Sequence, residues 1–265
     1  MRILHVALAL ASTLMLAGCE DLVYMPQPLP RGAHEAIIAR HPGVQDLRFE
    51  RPDGVTLRGW LAIGSDPVPR PLVLYFGGNA EEVSWMLDAR AAFGGWDLAL
   101  VNYRGYGSSG GKPSEKRLLE DALAVYDQLA ARPDIDARRI VALGRSLGSG
   151  VATYLASARP LAGVVLVAPY DSITAVAQQH YPYVLVRLLL GNSYDSLSRA
   201  PSIRTPLLVI TGEHDQVIPA VHSERLYEAW AGTKRSVKIA RAGHNDLQDH
   251  AAYWAAIREF LAGVH

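Results

Sequence analysis

Three side chains able to run nucleophilic chemistry stand in separate loops of this sequence: Ser146 in VALGRSLGSGVA (141–152), Asp215 in TGEHDQVIP and His244 in RAGHND. A serine hydroxyl attacks an acyl carbon only when a base takes its proton. The base in turn needs an acid to hold its tautomer and stabilise the imidazolium. Gly144-Arg145-Ser146-Leu147-Gly148 places a glycine two residues to each side of the serine. This is the pattern of a strand turned so sharply into a helix that the hydroxyl is held above the sheet. Its neighbours agree: Ile140 and Val141 lead in as a buried strand, and Leu147, Val151 and Leu155 recur at helical spacing. The pentapeptide alone is a weak signal in a chain with 23 glycines. A glycine-rich phosphate turn is the competing reading, but the lysine of GxxxxGK[ST] is absent.

The chain order Ser, Asp, His fits this chemistry on an open α/β sheet, with Asp215 and His244 each just after a strand. Glu213 is an alternative acid. His214 falls on the strand side of its loop, and Asp246 reads as the N-cap of the last helix. His180, His222 and His250 read as surface or packing residues, and His34 and His41 precede the sheet. Asp171 and Asp195 read as turn or capping residues. The tetrahedral intermediate also needs donors for its oxyanion. One is the N–H of Leu147. The second is expected from the loop Gly77-Gly78-Asn79-Ala80, with the N–H of Asn79 first and that of Gly78 next.

These residues require strands to carry them. Apolar, β-branched runs predict strands at Asp46–Glu50, Val55–Ala62, Pro71–Phe76, Asp97–Tyr103, Arg139–Leu143, Gly163–Ala168, Pro206–Thr211 and Ser236–Ala240. Helical spacing predicts helices at Glu81–Phe93, Ser114–Ala131, Leu147–Ala158, Pro219–Trp230 and Asp246–Leu261. Strands joined by helical crossovers imply an α/β fold, a mostly parallel eight-stranded sheet with helices on both faces. The first two strands lack a helix between them and should form an antiparallel edge hairpin.

The 265 residues suit one α/β domain, and the formal net charge of zero advertises no nucleic-acid partner. The N-terminus reads differently from the rest. MRILHVALALASTLMLAGCE has an early Arg2, an apolar run too short for a comfortable membrane span, and a terminal LAGC. It resembles a bacterial lipoprotein signal, in which residues 1–18 are removed and Cys19 is lipidated. An ordinary cleaved signal with an incidental cysteine is the alternative. Cys19 is the single cysteine, so no disulfide can form within the chain. Acyl chains there would anchor the protein without a transmembrane helix. The sequence then divides into the signal (1–18), a lipidated tether and lead-in (19–45), whose residues 20–35 need not be ordered, and a domain at 46–265.

Taken together, Tyr75-Phe76-Gly77-Gly78-Asn79-Ala80, the NYRGYGSSGG stretch from Asn102 to Gly111, Gly144–Gly148, Gly212–Pro219 and Gly243-His244-Asn245-Asp246 resemble the α/β-hydrolase superfamily. The resemblance is strongest to its monoacylglycerol-lipase-like, depalmitoylase-like and serine-aminopeptidase-like branch. It implies the α/β-hydrolase fold over roughly Leu47 to Leu261, with Ser146 as nucleophile, Asp215 as acid and His244 as base, and no metal or organic cofactor. Relatives usually carry His-Gly-Asn where this chain has Gly77-Gly78-Asn79, which removes a side chain that buttresses the oxyanion loop. Arg104 is expected to pin its own loop.

Residues 170–204 form a short cap insert. Its Tyr181, Tyr183, Leu185, Leu188, Leu189 and Leu190 suit either an apolar wall for an acyl chain or packing of a crossover helix on the sheet. The expectation is a serine hydrolase of carboxylic esters or thioesters. Its partners would be a small-molecule or lipid-like acyl substrate and, through Cys19, a membrane of the bacterial cell envelope, facing the periplasm. A serine peptidase of the same fold and a catalytically silent binding lipoprotein are the alternatives.

Overall fold

A computed structural model describes residues 23–184, 186 and 193–264. The signal, Cys19 and the cap leucines Leu185, Leu188, Leu189 and Leu190 lie outside them. Eight strands form one sheet: β1 (Val44–Glu50), β2 (Thr56–Ala62), β3 (Arg70–Phe76), β4 (Asp97–Val101), β5 (Ile135–Arg145), β6 (Gly163–Val167), β7 (Leu207–Gly212) and β8 (Lys234–Ile239). Their order is β1-β2-β4-β3-β5-β6-β7-β8. The expected hairpin is present, with β1 antiparallel to β2 and β2 antiparallel to β4. From β4 onward across the sheet, in the order β4-β3-β5-β6-β7-β8, every adjacent pair runs parallel.

Because successive strand residues point to opposite faces, each central strand feeds two cores. Leu72, Leu74 and Phe76 of β3 join Ile140 and Ala142 of β5 on one face. Val73, Tyr75, Val141 and Leu143 face the other way. Helices cover both. On the first face lie α2 (Glu115–Ala130), α3 (Leu147–Ala158) and α6 (Ala220–Ala229). On the second lie α1 (Ala33–Arg40) and α7 (Ala251–Ala262). The insert contributes α4 (Ile173–His180) and the single-turn α5 (Ser196–Arg199).

Three elements depart from the sequence expectation, each for a local reason. The helix expected over Glu81–Phe93 is two 3₁₀ turns, Val83–Leu87 and Arg90–Phe93. Glu81 is drawn into the loop behind it, and the Glu82 carboxylate accepts from Ser84 N, so no α-helical turn starts at 81. The last helix does not begin at Asp246. That carboxylate turns back to accept from Gly243 N at 2.6 Å, and α7 starts after His250. The lead-in is not a loose tether from Val23 onward. Gly107 N donates to Gln27 O and Leu29 N to Gly107 O, both at 2.8 Å. In α1, His34 is buried, bonded to Asp46 at 2.7 Å and stacked on Trp60 at 4.6 Å.

Candidate active site

All three reactive side chains stand at the carboxyl ends of parallel strands. β5 runs directly into Ser146, Asp215 follows β7 by three residues, and His244 follows β8 by five. Ser146 has φ 50°, in the left-handed region that a side chain rarely adopts. The turn is held because its glycines leave no alternative. A Cβ on Gly144 would meet Gly148 O at 2.3 Å, and one on Gly148 would meet Phe76 O at 2.1 Å and Gly77 O at 2.6 Å. Ser146 N donates to Val167 O at 2.9 Å, which ties the turn to β6.

His244 Nε2 lies 3.0 Å from Ser146 Oγ, and its Nδ1 lies 2.8 Å from Asp215 Oδ2. Asp215 Oδ1 accepts from the N–H groups of Val217 and Ile218 at 2.9 and 2.8 Å, which fixes the carboxylate plane. An ionised carboxylate only accepts, so Nδ1 carries the ring proton and Nε2 presents its lone pair to the serine. The alternative residues are engaged elsewhere. The Glu213 carboxylate accepts from Arg241 N. His222 is buried between Asp171 and Gln179, at 2.8 and 2.7 Å. His180 Nε2 donates to Val217 O, and Asp195 caps α5 through Ser198 N.

The oxyanion side corrects one expectation. Leu147 opens α3, where helix geometry leaves its N–H without an intrahelical acceptor. The Gly78 N–H is already committed: it donates to Glu81 Oε2 at 2.6 Å. That leaves Asn79, whose N–H has no acceptor among the described residues. Its side chain is clamped, since Oδ1 accepts from Met25 N and Tyr106 Oη, each at 2.8 Å, and Nδ2 donates to Val23 O at 2.5 Å. Gly77 O accepts from Tyr103 Oη at 2.9 Å.

Glu81 and Arg145 are the residues that sequence reasoning missed. Besides Gly78, the buried Glu81 carboxylate accepts from Tyr75 Oη (2.5 Å), Trp85 Nε1 (2.9 Å) and Arg145 Nη1 (2.8 Å). Arg145 also donates through Nη2 to His244 O at 3.2 Å and Asn245 Oδ1 at 3.1 Å. One buried ion pair thus fastens the oxyanion loop, the residue before the nucleophile and the loop of the base. Burial, reinforced by the Glu81 charge, pushes the Tyr75 hydroxyl well above the usual tyrosine range, so it stays a donor. Burial pulls Arg145 down, but Glu81 and Tyr75 outweigh it and its proton is held more tightly than usual. The glycine at 77 is explained by the residues packed behind the loop: a Cβ there would lie 2.8 Å from Val83 Cγ1, closer than a side chain tolerates, and would touch the Glu81 carboxyl carbon at 3.4 Å. The buttress expected from a histidine is supplied by Glu81. A sequence signal existed, an arginine inside the serine turn and a glutamate after the Gly-Gly-Asn loop, but nothing in their spacing pairs them.

A cleft of about 210 Å³ opens over Ser146, walled by Val23, Ile173, Val176, Ala177, Val217 and Ile218. The apolar wall is therefore built by α4, the loop after Asp215 and the lead-in. Tyr181 and Tyr183, expected there, point outward into solvent. Arg104 is buried and bonded to Asp121 and Asp53, at 2.6 and 2.7 Å, as a loop-pinning residue should be. Among the described residues, no group of three His, Cys, Asp or Glu side chains could hold a metal, and no helix is long and apolar enough to cross a membrane.

A sheet of this order with loop-borne reactive groups at its carboxyl edge defines an α/β hydrolase by architecture. A family model described as serine aminopeptidase, S33, matches residues 67–197. The protein Rv2307c of Mycobacterium tuberculosis is 38% identical over 97% of this chain and 92% of its own length. The α/β hydrolase domain-containing protein WAV2 of Arabidopsis thaliana is 28% identical over 94% of this chain and 89% of its own. In fold, an acetyl xylan esterase from Paenibacillus sp. R4 superposes with a TM-score of 0.67 at 18% identity, covering 94% of this chain and 99% of that one. The chain belongs to the α/β-hydrolase superfamily.

Proposed function

We propose that this protein is a serine hydrolase that cleaves carboxylic esters or thioesters through an acyl-enzyme on Ser146, tethered to a membrane by lipidated Cys19. The single observation that carries the reading is the His244 imidazole standing between Ser146 Oγ and Asp215 within hydrogen-bond reach of both. In the first half-reaction His244 Nε2 takes the hydroxyl proton as Oγ bonds to the acyl carbon. The carbonyl oxygen becomes an oxyanion facing the N–H groups of Leu147 and Asn79. Collapse breaks the bond to the alcohol or thiol, which leaves with the proton from His244. A water, deprotonated by the same nitrogen, then attacks the acyl carbon, and collapse breaks its bond to Oγ, which takes the proton back from His244 as the acid leaves. Asp215 steadies the imidazolium at each stage.

The substrate class follows from the cleft. Its aliphatic wall suits an acyl chain, and among the described residues no carboxylate lines it to pair with the α-ammonium of a peptide, which favours ester over aminopeptidase chemistry. A fluorophosphonate probe should label the wild-type protein and not Ser146→Ala, and a folded wild-type protein left unlabelled refutes the reading. A panel of esters and thioesters of graded acyl length, with p-nitroanilide peptides beside them, separates the bond classes. Cys19→Ser should move the protein from the membrane to the soluble fraction, and unchanged sedimentation would remove the anchor.

A further inference from the structure

Beside the Ser146 cleft several apolar side chains are exposed among the described residues. Tyr183 is 100% and Tyr181 63% exposed. They follow the end of α4, whose Val176 and Ala177 line the cleft. Val217, 47% exposed, stands in the mouth itself, and its carbonyl accepts from His180 Nε2, which fastens the end of α4 beside it. Met25, 58% exposed, follows the wall residue Val23 by two positions, and its N–H donates to the side chain of Asn79, which also lines the cleft. Single exposed apolar residues are ordinary. Several of them around one catalytic opening mark an interaction face.

The route of the chain says what meets that face. Val23 is a wall of the cleft and lies four residues after Cys19. Even fully extended, four residues span only about 14 Å. An acylated Cys19 would therefore keep the mouth next to the lipid headgroups. A tether that short raises the effective local concentration of lipid so far that a weak contact suffices, and tyrosine is a side chain suited to the interfacial layer.

We propose that Met25, Tyr181, Tyr183 and Val217 seat the mouth of the cleft on the bilayer that holds Cys19, so that acyl groups enter Ser146 directly from the membrane. This rests on the ester-hydrolase and anchor readings above. The full-length acylated protein, reconstituted in vesicles of phosphatidylethanolamine and phosphatidylglycerol, is assayed with a long-chain fluorogenic ester dissolved in the bilayer and with water-soluble p-nitrophenyl butyrate. Tyr181→Ser combined with Tyr183→Ser should lower turnover of the bilayer ester by about tenfold or more, equivalent to roughly 1.4 kcal/mol of lost contact, and leave the soluble ester unchanged. Because Cys19 is acylated, Tyr183→Cys can carry one environment-sensitive dye, whose emission should shift to the blue on reconstitution. Equal bilayer-ester rates, or a dye that still reports water, overturns the docking, and is the result expected if the rim meets another protein. Loss of soluble-ester turnover in the wild type would instead sink the hydrolase reading, and wild-type protein in the supernatant the anchor and the docking with it.

Discussion

Replacing Glu81 by glutamine tests whether the buried ion pair shapes the oxyanion loop or only stabilises it. Four donors converge on this carboxylate: Tyr75, Trp85, Gly78 and Arg145. A glutamine has one acceptor oxygen, and its amide nitrogen must face two of the four. Turned toward Gly78 and Arg145, that nitrogen meets two donors that cannot become acceptors. Turned toward Tyr75 and Trp85, it meets only one, because the tyrosine hydroxyl can accept. The second arrangement is the cheaper, and it leaves the Trp85 N–H orphaned and Arg145 without a counter-ion. An orphaned buried donor costs about 1–3 kcal/mol, and breaking a buried pair about 3–5 kcal/mol. Since Arg145 and Gly78 keep a neutral acceptor, a total of about 3–4 kcal/mol is expected, or a fall in Tm of roughly 6–16 °C for a chain of this size. If the pair also aims the Asn79 N–H, one oxyanion donor is misplaced, and kcat falls about 10²–10³-fold with little change in KM. Pairing Glu81→Gln with Arg145→Met removes the stranded charge and should recover part of the stability without recovering kcat. Steady-state kinetics on a soluble ester, beside thermal melts, read both quantities. A Glu81→Gln enzyme that melts early yet keeps kcat within about threefold of wild type, a change under 1 kcal/mol, refutes the positioning role.

Other substitutions give equally definite outcomes. Asp215→Asn presents a donor to His244 Nδ1 and so favours the wrong tautomer, and kcat should fall about 10⁴-fold with the melt little changed. Gly148→Ala drives a methyl into Phe76 O and Gly77 O. It should cost about 1–3 kcal/mol or more and abolish fluorophosphonate labelling of the folded fraction. Asp121→Asn deprives Arg104 and Arg51 of a shared partner and should destabilise by about 3–5 kcal/mol, while specific activity of the folded protein holds because none of the three lines the cleft. Val23→Asp puts a charge in the apolar wall, and should lower kcat/KM for long acyl chains more than for acetyl esters.

Ser146 and Asp215 were legible because each lies a few residues beyond a buried apolar run, and His244 because Val237 and Ile239 alternate with polar residues in the edge strand before it. The sheet was legible for the same reason, and so was the antiparallel entry, from the missing crossover helix. The 3₁₀ turns at Val83–Leu87 and Arg90–Phe93 were not, because apolar spacing there imitates a helix while the Glu81 carboxylate is pulled away by partners 3 to 64 positions distant in sequence. Asp246 misled for a related reason: a capping residue type sat in the right place, but its carboxylate found Gly243 N first. The lead-in was the largest omission. Three prolines between Val23 and Arg31 look like a linker, and the bonds that order it run to Asn79, Gly107 and Tyr194. No local pattern encodes those.

The lead-in also sets where the protein can be cut. A fragment beginning at β1 would retain the whole sheet and all three reactive side chains, so it could fold and pass a check of secondary structure. It would nevertheless have a cleft open along one flank and an Asn79 carboxamide stripped of two backbone partners. Reporter fusions, affinity tags and soluble versions of this hydrolase should therefore be joined upstream of Val23, and a boundary drawn at the first strand would discard part of the substrate-binding surface.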